Sequence, residues 1–274
     1  DGVGSPVVYS TAEITVEDAY MESTSSQGIV VEGQNSVTLN NVELIADNNS
    51  KNSDKSSYYQ AVMIYQSMSG DAEEGLATFT MNGGSLTNKN GDLFFVNNTV
   101  ASINLDSVLI ENEDDEGVLL RAEAAGWGSE GSNGGHVTMN CFNQVLQGDI
   151  LVDEVSSLNL YLKDKSTFTG SISNEGEVYV EIESGSKWVL SEDSYITSLT
   201  CDSGSIDLNG YKLYVGDEEY DETETYQGEA IEVVIHSSMG HGDMPEMPEG
   251  GHGPEGGHGP ENGGTPPEKP DDKH

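Results

Sequence analysis

The residues best suited to chemistry cluster around two irregular stretches. Trp127 lies in a glycine-rich run, Gly126-Trp-Gly-Ser-Glu-Gly-Ser-Asn-Gly-Gly, shortly after Arg121. Tyr58, Tyr59 and Tyr65 border a second loop region. Exposed aromatic faces stack on sugar rings while a few polar groups fix orientation, and a guanidinium pairs with a uronate or sialate carboxylate. These five residues are the candidate ligand-binding set. The competing reading is that Trp127 folds back over apolar surface at the base of its loop. Oxygen donors in Asp47-Asn-Asn-Ser-Lys-Asn-Ser-Asp54 suit calcium (Ca2+) through Asp47 and Asp54, although the spacing is not that of an EF-hand. His241, His252 and His258, with Met239, Met244 and Met247, are the donors for a softer metal. No catalytic residue is expected. Asp114-Asp115 is a carboxylate pair of the kind glycoside hydrolysis uses, but it sits in an acidic turn, Glu-Asn-Glu-Asp-Asp-Glu-Gly.

Charge narrows the choice of partner. Asp plus Glu number 49 against 10 Lys plus Arg, a formal net charge of −39, and Arg121 is the one arginine. Nucleic acid and anionic lipid both need clustered cations, so neither is an expected partner. No apolar run approaches the roughly 20 residues of a membrane helix, so no membrane insertion is expected. Such an acidic chain suits a soluble extracellular protein, expected as a monomer.

The elements that position these residues are short strands in a repeating register. Val137-Thr-Met-Asn-Cys141, Leu158-Asn-Leu-Tyr-Leu162 and Val178-Tyr-Val-Glu-Ile182 alternate apolar and polar residues at steps of 21 and 20. A second unit follows each: Leu146-x-Gly-x-Ile150, Phe168-x-Gly-x-Ile172 and Trp188-x-Leu190. Period-2 alternation within a repeat of about 20–25 residues is the pattern of a stacked solenoid. Earlier copies of the first strand start at Ile103, Phe79, Val37 and Ile14, and second strands at Ile29, Ala61, Leu93 and Val118. Asn40, Asn82, Asn140 and Asn209, with Asp106, recur after the first strand and read as turn formers stacked along the axis. Cys141 and Cys201 fall three coils apart, about 14 Å at the strand spacing, so no disulfide is expected.

Two insertions follow second strands in coils two apart, Ser67–Gly75 and Glu123–Gly134, and should project over the same edge. Strand-like sequence begins at once near Pro6, so earlier coils and any signal sequence are expected upstream. Residues 1–236 are read as the β-helix domain, closing on a strand-like run, Ile231–Ile235. Residues 237–274, rich in Gly, Pro, Glu and His, are read as a disordered linker or tail.

The segments Ser36-Val-Thr-Leu-Asn-Asn-Val-Glu-Leu and Gly4-Ser-Pro-Val-Val-Tyr-Ser-Thr-Ala-Glu-Ile-Thr-Val resemble secreted bacterial right-handed parallel β-helix proteins. Ser184-Gly-Ser-Lys-Trp-Val-Leu-Ser-Glu-Asp-Ser-Tyr-Ile-Thr-Ser-Leu is similar to the stem of autotransporter adhesin passengers. The resemblance covers about residues 4–215. It implies an all-β, single-stranded right-handed parallel β-helix and an adhesin-like, cell-surface setting. The expected function is a non-catalytic extracellular module that binds a glycan or another ligand on a host or neighbouring cell. The alternatives are a polysaccharide lyase or hydrolase acting on acidic glycans, and a passive structural spacer. β-Helix lyases pair calcium-binding acids with an Arg or Lys base, and β-helix hydrolases carry Gly-His-Gly within their coils. Here Arg121 stands alone, and the Gly-His-Gly triplets lie in the tail.

Overall fold

The computed structural model describes residues 2–51, 55 and 57–234. The proposed linker and its histidines, together with Asp54, lie outside the described residues. Among the described residues the chain is all-β, with no helix, and its four sheets are mostly parallel. An eleven-stranded sheet collects the first strand of each pass, from Glu13–Glu17 through Ser36–Ala46, Leu76–Asn88, Thr99–Asp106, Gly135–Phe142, Ser157–Lys163 and Glu177–Ile182 to Ser198–Cys201. A seven-stranded sheet collects another, from Val8–Ser10 to Ile172–Asn174. Four- and three-stranded sheets complete the later passes. This arrangement is compatible with a parallel β-helix.

The register follows the sequence pattern closely. Val137 pairs with Leu158 and Leu158 with Val178, so these three side chains form one column of fully buried residues. The neighbouring column runs Val37, Phe79, Ile103, Met139, Leu160, Val180 and Leu199. Each such burial contributes about 1.5–3 kcal/mol relative to exposure, and the columns merge into one core. Cys141 and Cys201 are both buried and free, separated in the register by Leu162 and Ile182. Burial raises both thiols above their ordinary pKa.

Four readings need correction. Ile103 pairs with Met139, while Val137 faces Ala101. A slip of two residues keeps every side chain on the same face, so alternation alone could not tell the two registers apart. Units such as Leu146-x-Gly-x-Ile150 bridge two sheets, with Val145–Gln147 in one, Ile150–Val152 in the next and Gly148 (φ 118°) at the corner. The asparagines do not form one ladder. Asn40 faces Asn82 and then Asp106, whereas Asn140 faces Asn104. The left-handed corner falls at Asp18 in the first copy, one residue after Asn40, Asn82 and Asp106 (at Asn41, Gly83 and Ser107), and three after Asn140 (at Asn143), with φ between 47° and 63°. Asn209 takes it itself, at φ 49°, as the sequence pattern expects. Asn, Asp and Gly tolerate that conformation, which is why they recur there. Finally, Ile231–Val234 forms no ladder strand. The last pass is closed by antiparallel pairs, Glu218–Glu219 on Leu213–Val215 and Tyr226–Gln227 on Ser198–Cys201.

Candidate ligand groove and the insertions that wall it

The outward column of the seven-stranded sheet decides where the candidate aromatics go. Val30, Met63, Phe95 and Arg121 follow one another in register on its outer face. Three of the four are apolar, so this face has to be covered. Tyr65 and Trp127 join Val30, Met63 and Phe95 in a second apolar cluster, against which Tyr58 and Ala125 pack. Trp127 is only 6% exposed and meets Tyr65 edge-on at a centroid distance of 5.1 Å. Its ring therefore covers apolar surface at the loop base and presents no free face to a sugar.

Arg121 is equally occupied. Its Nε donates to Asp92 Oδ2 at 2.6 Å, its Nη1 donates to Glu123 Oε2 at 3.3 Å, and Tyr58 lies 3.8 Å over the guanidinium. Burial, the largest single influence, works against its charge, but the hydrogen bond to Asp92, the nearby negative charge and the bond to Glu123 together outweigh it, so its pKa is raised. Tyr58 donates to Glu123 Oε1 at 2.8 Å, and burial followed by that carboxylate raises its pKa. Tyr65 shares a 2.7 Å hydroxyl contact with Tyr9, which in turn donates to the buried Glu32. Burial is the main cause of the raised pKa of both tyrosines. Tyr59 lies under Lys51 Nζ at 5.4 Å, and its carbonyl accepts from the Asp92 amide. The structure thus gathers Tyr58, Tyr65, Trp127 and Arg121 into one packed unit and leaves Tyr59 at its border.

Sequence reasoning missed the amides that hold the insertions. Asn97 Nδ2 donates to the Glu123 and Asn133 carbonyls, both at 2.9 Å. Asn133 Nδ2 donates to the carbonyls of Ala125 and Trp127, both at 2.8 Å. Gln66 Nε2 reaches the Ala72 carbonyl at 3.0 Å, and Asn98 Nδ2 reaches the Gln66 carbonyl at 2.9 Å. Both insertions are therefore pinned to the pass between them. The available signal was the unbroken apolar run Leu93-Phe-Phe-Val ending in Asn97-Asn98, since a strand without alternation is buried on both faces.

Between the pinned insertions runs an open groove of about 800 Å³. Glu74 and Gly75 come from one insertion, and Gly131, Ser132 and Gly134 from the other. Val100, His136, Glu154, Glu177 and Ile231–Val234 also line it. The three glutamates are exposed, and His136 Nδ1 is 3.0 Å from Ser157 Oγ. No lysine or arginine among the described residues lines the groove. Among the described residues no group of three or more His, Cys, Asp or Glu could hold a metal ion. Asp47 contributes its backbone amide to the Ser23 carbonyl at 2.8 Å. Among the described residues no helix is long and apolar enough to cross a membrane.

No family model matches the chain, and neither a curated protein nor a solved structure matches it.

Proposed function

We propose that this chain is a non-catalytic, extracellular, adhesin-like binding module built on a single right-handed parallel β-helix, and that its ligand lies in the groove between the two insertions. One observation carries the reading. Insertions two passes apart leave the same sheet, are pinned to the pass between them, and flank a groove lined by both. Loops held on a rigid scaffold are where binding surfaces concentrate. The site thereby moves from Trp127 and Arg121, which are packed inside, to the surface those residues help to support.

Of the carboxylate pair Asp114-Asp115, the first is engaged structurally, which favours binding over hydrolysis. Asp114 accepts from the Gly91 amide at 2.6 Å and from the Glu116 amide at 2.9 Å, and so caps its own turn. Beads coated with the full chain should adhere to glycan- or protein-coated surfaces or to whole cells. Val100→Trp, which fills the groove from an outward strand position, should abolish adhesion without changing the melting temperature. Undiminished adhesion by that variant sinks the groove as the site. Release of unsaturated or reducing sugars from acidic polysaccharides would instead establish an enzyme, and adhesion to no surface would leave the spacer.

A further inference from the structure

The chain itself already lies along this groove, and the manner of its attachment indicates what else fits. After Tyr226–Gln227 the backbone turns back over earlier passes of the eleven-stranded sheet. Gly228 N donates to the Leu199 carbonyl at 2.8 Å and Glu229 N to Ser198 Oγ at 3.1 Å. Two passes further back, the Asn159 side chain takes the place of a strand. Its Oδ1 accepts from Ile231 N at 2.8 Å, and its Nδ2 donates to the Ile231 carbonyl at 2.9 Å. Asn159 is only 4% exposed, so its amide is aimed at this one backbone unit. A buried amide that satisfies both the N–H and the C=O of one residue recognises extended polypeptide, as an open sheet edge does.

Charge then separates the present occupant from a better one. Exposed Glu74, Glu154 and Glu177 line the groove with no lysine or arginine beside them among the described residues, and the segment lying there adds Glu232, with exposed Glu229 just before it. Like charges weaken the hold on this segment, whereas a basic strand would be drawn in. We propose that the groove binds an extended, lysine-bearing polypeptide segment, and that Glu229–Val234 is an internal strap limiting access to it. This rests on the groove being the ligand site and names the class of ligand.

The test uses the full chain and three probes: an acetylated (Lys-Val)4 amide, its (Glu-Val)4 counterpart and a neutral β-1,4-linked glucose hexasaccharide. The lysine peptide should bind roughly tenfold more tightly than the glutamate peptide. Glu154→Gln with Glu177→Gln should weaken it roughly fivefold, as removal of two attracting charges requires. Ile231→Pro removes the N–H that Asn159 holds, frees the strap and should tighten lysine-peptide binding roughly fivefold. Equal affinity for the two peptides, or a lysine-peptide affinity unmoved by these substitutions, overturns the proposal. Hexasaccharide binding that Val100→Trp abolishes, without peptide binding, keeps the groove and removes the ligand class. Binding of no probe, together with adhesion unaffected by Val100→Trp, removes both.

Discussion

The inward and outward faces of the seven-stranded sheet solve the same problem differently. Inward, Val62, Phe94, Leu120 and Ile150 stack one above another and are covered by the other sheets. Outward, Val30, Met63 and Phe95 have no sheet above them and are covered by Tyr58, Tyr65, Ala125 and Trp127, the last two from the Glu123–Gly134 insertion. Regular stacking makes the first cover out of residues the repeat supplies anyway. The second cover had to be added, and the Glu123–Gly134 insertion that provides part of it also lines the groove. Packing and binding surface share that insertion, so substitutions in the two faces should behave differently.

The largest contrast is between the two tryptophans. Trp188 is fully buried within the passes, stacks on Phe168 at 5.7 Å and donates its indole N–H to the Gly170 carbonyl. Trp188→Ala should cost about 4 kcal/mol in chemical denaturation, as large core truncations do. Trp127→Ala should cost about 2–3 kcal/mol, because the loop can settle partly into the space left. A Trp127→Ala melting temperature equal to that of the parent would return this residue to the surface as a ligand platform. Loss of Asp92 tests the polar border of the same cluster. Its side chain is 4% exposed and that of Arg121 12%, so Asp92→Asn should cost about 2 kcal/mol by leaving a nearly buried guanidinium underpaired. Because solvent screens the pair little, that loss should persist in high salt; its disappearance in salt would place the pair in solvent.

Alkali should act on both regions more gently. Tyr9, Tyr58, Tyr65, Tyr179 and Tyr220 all have raised pKa values, burial being the first cause in each, with Tyr179 at about 12. A raised folded pKa means that the folded state holds its proton longer than the unfolded one. Their contribution is therefore complete below the ordinary tyrosine value of about 10 and is lost as pH rises towards 12 and beyond. Melting temperatures measured from pH 8 to 11 should fall above pH 10. A curve still rising there would reverse the sign and contradict the burial of these phenols.

Alternation within a fixed repeat was enough to determine the first strand of each pass, its inward face and the separation of the cysteines. Side-chain parity is a local property, and Val137, Leu158 and Val178 carry it unambiguously. The positions of the insertions were legible for the same reason, since a loop must leave wherever the repeat lengthens. Local pattern could not decide a two-residue slip, as at Ile103, because both registers bury the same face. Nor could it tell which way Trp127 would turn. That depended on an apolar outer column assembled from Val30, Met63 and Phe95, three residues far apart in sequence that only the stacking brings together. The groove has the same origin, with walls drawn from Glu74, Gly134, Glu177 and Ile231. What the sequence determined was each strand's own periodicity; what the tertiary structure decided was which distant surfaces needed covering, and burial of apolar area is a property of the assembled stack.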